Sequence, residues 1–367
     1  MRDPRIDGLA KVLTEYSLEL KPGQVCAIDA TTAAEPLVKA LYEAVVDAGA
    51  NPIVNMAFDG QQASFFERAT DEQIEWISPV EDWVIEHADA RIKVLSDTNI
   101  RELSAVAPEK QQLRGRSRTD LMQRMMERSA SEEMRWNVTM FPTNAYASAA
   151  SMSQVAFEDF LYRACLVDQP DPVAAWKKAA EETNRLADWI QGKEEVVIEG
   201  PGTKLKLNVA GRIFKPADGK YNMPDGEFFT GPVEDSAEGE ITFHLPASYQ
   251  GREVSGVKFR FEGGKVVDAT AERGEDFLIA TLDTDEGARR LGELGIGTNF
   301  GIADGTGEIL LDEKIGGTVH LAVGASYPET GGVNESAVHW DMICDLRRGG
   351  SVTVDGEVLQ RDGKFVV

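Results

Sequence analysis

Cysteine is nearly absent from this chain. Cys26, Cys165 and Cys344 are the only three in 367 residues. Each lies in an apolar run and none in a CxxC spacing, which excludes a disulfide scaffold and reads as three buried free thiols. Histidine is almost as scarce, at four: His87, His244, His320 and His339. Positive charge is in deficit, with 38 Lys and Arg against 62 Asp and Glu and a net charge of -24. Nucleic acid needs a basic footprint to displace counterions, so it is excluded as a partner, and an anionic membrane surface with it. No apolar run approaches the roughly 20 residues that span a bilayer. The charged opening MRDPRIDGLAKVL has no signal-peptide core or cleavage site, so a cytoplasmic location is expected. No GxGxxG or GxxxxGK[ST] sits at a strand–helix junction, which argues against a dinucleotide or P-loop site.

What is present fits two domains, since a chain of this length exceeds one ordinary core. Hydrophobic residues make up 42% and charged residues 27%, a globular balance. Residues 4–18 carry helix-period apolar positions (Ile6, Leu9, Ala10, Leu13), and QVCAIDA and NPIVNMAF read as strands around an amphipathic helix from Ala33 to Ala48. Segments around 81–96 and 116–128 continue the alternation, as in a small open α/β sheet. Residues 153–193 read as helical, with Trp176 and Trp189 placed to pack a helix pair. From about 195 short strands follow one another with glycine-rich turns. The expected architecture is therefore α/β: an N-terminal open α/β domain with a helical connector (1–194), then a β-rich α+β domain (195–367) with one helix inserted at roughly 284–294.

Two histidines keep unusual company. In SAVHWDMICDL, His339 and Asp341 are two apart on a strand and share a face, while Trp340 points the other way. Such a pair can bind a metal or simply pair with itself. His320 lies in a second strand, GGTVHLAVG, with Tyr327 seven residues on in the loop SYPETGG. The loop NMPDGEFFTGPVEDS places Asp225, Glu227, Glu234 and Asp235 beside apolar residues, the setting of either an enclosed site or a surface turn. In TDEGARRLGELGIGTN, Thr284 is positioned to cap a helix and Glu293 to end it, where a carboxylate opposes the helix dipole unless a cation sits beside it. Two imidazoles with three carboxylates suit zinc, cobalt or manganese better than a thiolate-rich site would. Five ligands also exceed what one catalytic zinc needs, so they permit a dinuclear hydrolase. The spacing matches neither HExxH nor a zinc finger, and by itself decides no more than this.

Taken in order, MRDPRIDGLAKVLTEYSLELKPGQ, MRWNVTMFPTNAYA, FEDFLYRACLVD, NMPDGEFFTGPVEDS, LGELGIGTNFGI, ILLDEKIGGTVHLAVGASYPETGG and NESAVHWDMICDLR resemble the thermophilic-type aminopeptidase family, metallopeptidase family twenty-nine, over nearly the whole chain. The resemblance implies two divalent ions (zinc, cobalt or manganese) held by Glu227, Glu293, His320, His339 and Asp341. It makes Tyr327 an active-site tyrosine, Glu293 the carboxylate shared by the ions or nearest the nucleophile, and Glu227 a proton carrier if loosely held. It further implies peptide substrates with a free N-terminus and a homodimer. The segment GIADGTGE is shorter than in some relatives, which affects the pocket rim and not the ligands. Two rivals remain: an amidase or esterase on the same ligands, and a non-catalytic metal-binding homologue.

Overall fold

A computed structural model of the protein describes residues 2–367, and its contacts divide the chain into two compact units, Met1–Trp176 with Gly219–Met223, and Lys177–Asp218 with Pro224–Val367. The first unit carries a five-stranded parallel sheet in the order Asn51–Ala57, Val25–Thr31, Ala90–Leu95, Arg135–Met140, Asn222–Met223. Parallel strands need covered crossovers, and the helices Glu35–Asp47, Pro79–His87 and Thr119–Ala130 fall between them in the chain. The opening helix Pro4–Lys11 starts on an Asp3 cap with proline in its first turn and runs on as a π-helical turn, Val12–Ser17. Ile6, Leu9, Ala10 and Leu13 are all buried, as the periodicity requires.

Every strand pairing of the second unit's two larger sheets is antiparallel. Eight strands form one sheet in the order Lys265–Thr270, Lys258–Glu262, Glu238–Thr242, Thr203–Asn208, Glu195–Gly200, Ser351–Val354, Glu357–Arg361, Lys364–Phe365. Five form the other, in the order His339–Asp345, Thr318–Gly324, Leu291–Gly297, Glu227–Thr230, Lys215–Ala217. Leu205, Ile241, Phe259 and Phe261 from the first join Leu294, Ile296, Leu321 and Met342 from the second in one buried cluster. Leu186, Ala187 and Ile190 of the helix Pro172–Ile190 belong to that cluster too. By contacts, the division between the two units falls inside this helix, at Trp176. Trp176 is buried, and its Nε1–H donates to the Cys165 carbonyl at 2.6 Å, whereas Trp189 is only partly buried against the second unit's core. The two tryptophans serve separate units.

One expected element is absent. Residues 284–294 are not a helix: the helix is Glu275–Leu282, a short 3-10 turn covers Gly287–Arg289, and Leu291–Gly297 is a strand whose seven residues are all buried. Asp285 explains part of this, because its carboxylate accepts from the Ala288 and Ala337 amides and from the Ser336 hydroxyl. A side chain that captures backbone donors this way competes with helix formation. Tertiary pairing supplies the rest. The strand is hydrogen-bonded on both edges, and its glycines admit neighbours that any side chain would displace.

All three cysteines are free and buried, and burial pushes the Cys26 and Cys344 thiols up to about 12. They are inert packing residues.

Candidate metal centre

The register of the five-stranded sheet brings the five residues onto one face. Glu293 lies opposite Ala322, which lies opposite Asp341; Gly295 lies opposite both His320 and Phe229; Gly324 lies opposite His339; and Glu227 lies opposite Gly297. Directly paired residues share a face, as do residues two apart on a strand. Charged and imidazole groups thus stand over a floor of Gly295, Ala322 and Gly324. Trp340 points to the opposite face, where it is buried and stacks on Tyr249 at 5.2 Å.

The glycines make room for the functional groups. A side chain at Gly295 would overlap the His320 ring, so the imidazole can lie across that strand only because the position is bare. Gly226, immediately before Glu227, has φ +123 and lies against Asn299, whose Cβ is 2.9 Å from where a side chain would begin. This left-handed backbone turns Glu227 inward and suits glycine.

Glu293 occupies the middle. One of its carboxylate oxygens faces His320 Nε2 at 3.5 Å and the other faces His339 Nε2 at 3.3 Å. His320 Nε2 is also 3.3 Å from Glu227 Oε2, and His339 Nε2 is 3.6 Å from Asp341 Oδ2. Two sets result, each with one candidate ligand atom per residue and all such atoms within 4.8 Å of one another: Glu227, Glu293, His320, and Glu293, His339, Asp341. Glu293 belongs to both. His339 Nδ1 lies 2.8 Å from the Ala325 carbonyl, a contact that fixes the ring and turns Nε2 toward the carboxylates.

The residues fit a cation. Glu227 Oε2 and Asp341 Oδ1 are buried with no hydrogen-bond partner, an arrangement natural proteins seldom leave uncompensated. Separations of 3.3–3.6 Å are long for hydrogen bonds. They approach the roughly 3.3–3.4 Å edge of a tetrahedron drawn with metal–ligand bonds of about 2.0–2.1 Å. The groups also act on one another electrostatically. Burial works against the imidazolium of His320, yet Glu227 and Glu293 outweigh it and raise this residue to about 10. The same contest, with Glu293 and Asp341 as partners, raises His339 to about 9. Burial opposes the charge on Glu293, but both histidines hold it down to about 2. Burial and the neighbouring Glu293 lift Asp341 to about 6, and burial lifts Glu227 well above its ordinary value against the pull of Lys314. A cation taken up here displaces protons.

The remaining sequence candidates divide. Asp225 is buried close by and bears on the same lysine, Lys314. Glu234 is engaged elsewhere, 2.6 Å from Arg212, and Asp235 is exposed. His87 stacks on Trp83, and His244 accepts from the Asp345 amide; neither joins the cluster. Tyr327 stands at the rim, 41% exposed, with its ring 5.0 Å from that of His339 and 5.5 Å from that of Phe229. Its loop is braced by Thr330, whose hydroxyl donates to the Tyr327 carbonyl at 2.6 Å and accepts from the Gly231 amide at 3.0 Å. One residue was missed: Lys314, fully buried with its ammonium 3.7 Å from Glu227 Oε1. A Glu-Lys pair inside ILLDEKIGG, between an apolar run and two glycines, was the available signal.

The family model for thermophilic metalloproteases (M29) matches residues 2–365. The chain belongs to this family. Aminopeptidase T from Thermus aquaticus is 28% identical over 98% of this chain and 96% of its own, and aminopeptidase 2 from Geobacillus stearothermophilus is 25% identical over 99% and 95%. The structure of wild-type AmpT from Thermus thermophilus superposes with a TM-score of 0.85 at 27% identity, covering 99% of both chains. A 2,5-dihydroxypyridine dioxygenase from Pseudomonas putida KT2440 shares the fold at a TM-score of 0.57 and 13% identity, over 99% of this chain and 97% of its own. The architecture therefore also supports other chemistry, and function has to be argued from the site. For this M29 chain, membership makes a divalent metal part of the chemistry. No helix of the described residues is long and apolar enough to cross a membrane.

Proposed function

We propose that this M29 protein is a metal-dependent aminopeptidase that releases N-terminal residues from peptides, using two divalent ions held by Glu227, Glu293, His320, His339 and Asp341. The observation that carries this reading is the placement of Glu293, whose two oxygens face His320 and His339 separately. Bound there, divalent ions supply Lewis acidity toward the scissile carbonyl and lower the pKa of a nucleophilic water. Glu293 spans both ligand sets, so it would be the carboxylate shared by the ions or the one nearest the nucleophilic water. Glu227 lies at one end, between Lys314 and His320, a position that suits holding an ion more than moving a proton. Zinc, cobalt and manganese all suit this donor set. A homodimer and a cytoplasmic location belong to the same reading, the dimer being what the family resemblance implies.

The test is hydrolysis of an aminoacyl-p-nitroanilide panel by metal-stripped protein re-supplied with Zn²⁺, Co²⁺ or Mn²⁺, alongside N-acetylated counterparts. Stripping should remove activity and one of the ions restore it, with acetylated substrates left nearly untouched. Equal rates on blocked and free substrates would make the protein an amidase. Full turnover after verified metal removal would end the metal reading.

Tyr327 separates chemistry from coordination. Partial desolvation at the rim and the nearby Glu293 and Asp341 raise its hydroxyl above the ordinary phenol range, so it keeps its proton and can donate to a developing oxyanion. Tyr327→Phe should retain metal and fold while the turnover number drops by about 10²–10³-fold, as for loss of one oxyanion donor. Wild-type turnover in that variant, measured beside its metal content, would reduce the tyrosine to packing.

A further inference from the structure

Among the described residues, Lys314 is the one lysine or arginine that is buried, with no exposed surface at all. A fully desolvated ammonium is costly unless it is closely paired. Here it contacts the Glu313 carboxylate, faces Glu227 Oε1 at 3.7 Å and feels Asp225 as well. Its backbone is fixed: the Asn299 amide donates to the Lys314 carbonyl at 3.0 Å, and Asn299 Nδ2 donates to the Asp225 carbonyl at 2.8 Å. The preceding loop is tied down by Asp312, which accepts from the Thr306 amide and hydroxyl and from the Gly307 amide at 2.7–2.8 Å. The two oxygens of Glu227 are thereby unequal. Oε1 faces the ammonium, whereas Oε2 has no hydrogen-bond partner and faces His320 Nε2 at 3.3 Å.

We propose that Lys314 is a positioning residue for Glu227: its ammonium, held by Glu313, draws the Oε1 side of the carboxylate electrostatically so that Oε2 is presented to the ion shared with His320 and Glu293. Among the described residues, the second ligand set, Glu293, His339 and Asp341, has no lysine or arginine among its ion-pair partners. The two ion positions consequently differ in what supports them, and only the Glu227 position depends on Lys314. The inference rests on the metal-centre reading above.

The experiment compares metal-free wild-type protein with Lys314→Met, titrating each with Co²⁺ and following bound metal and the visible ligand-field spectrum. Wild type should take up two ions. Lys314→Met should bind the second about 10–100-fold more weakly, the usual loss when the partner that orients a ligand is removed. Its first ion should be retained. A folded Lys314→Met with both affinities and the spectrum unchanged would overturn the proposal, since a lysine serving only as an internal ion pair would alter stability and nothing else. A wild type that binds no divalent ion would instead bring down the metal-centre reading, and this inference with it. Should Lys314→Met fail to fold, a crystal structure of cobalt-loaded wild type decides. Lys314 on Oε1 with the ion on Oε2 is expected, and an ion held by both oxygens with Lys314 withdrawn would refute it.

Discussion

Glu293→Gln should leave the protein folded but without either ion and without measurable turnover. The substitution keeps shape and buried volume, so the β-sheet has no reason to rearrange. Chemically it is severe, because the amide offers one weak acceptor where the carboxylate offered two. The other end of the amide carries N–H donors that repel a cation. Glu293 is common to both candidate ligand sets, so one change damages both. The rate should fall by at least about 10³-fold, beyond the 10–100-fold typical of losing an outer partner. Asp341→Asn is the informative comparison. It touches only the set formed with Glu293 and His339, and should therefore remove one ion and leave Glu227, Glu293 and His320 with the other. Metal stoichiometry on the two variants measures this directly. Two ions retained in Glu293→Gln would refute the shared role.

Gly295→Ala, the addition of a single methyl group, should cost both the site and stability. The new carbon would overlap Cε1 and Nε2 of His320, a ring that is almost wholly buried. Either the imidazole leaves its place or the two strands separate, and overpacking of this kind costs about 1–3 kcal/mol. Metal binding should collapse along with His320, and the thermal midpoint of the metal-free protein should drop. Gly115→Ala is the control: it lies in the helix Pro108–Ser117 with nothing near the added carbon. There the same methyl should stabilise by about 0.5–1 kcal/mol through helix propensity. A Gly295→Ala protein that melts normally and holds its metal would show that the ring has more freedom than the packing indicates.

How much of this was legible in the sequence depended on whether a residue's role was written in local pattern. The His-Trp-Asp alternation was, because strand periodicity alone puts His339 and Asp341 on one side and Trp340 on the other. The α/β order read as far as residue 128 was legible in the same local way, from helix-period and strand-like apolar runs that alternate there. Glu293 was singled out from the residues, and named a ligand through family resemblance, while its element was misread. The string TDEGARRLGEL has helical composition, and only pairing on both edges of Leu291–Gly297 overrides it. The dipole argument for a cation beside Glu293 falls with that helix, although the residue keeps its place in the cluster. Lys314 was passed over because a lysine in an Asp-Glu-Lys run reads as solvated surface. Its burial depends on contacts with Asn299, Asp225 and Glu227, which no local pattern reveals.

The order of strands in the five-stranded sheet has a further consequence for how the centre assembles. The strands of Glu293, His320 and His339 follow one another along the chain and pair as neighbours, so their closure spans short connections. The strand of Glu227 joins them only by reaching from Thr230 to Leu294, across strands Glu238–Thr242, Lys258–Glu262 and Lys265–Thr270 of the eight-stranded sheet and the helix Glu275–Leu282. Longer closures cost more entropy and, on topological grounds, come later. Glu293, His339 and Asp341 can therefore be assembled while Glu227 is still absent. An ion captured at that stage favours the part-built sheet by mass action, and the second position becomes available only when the whole domain has closed around it.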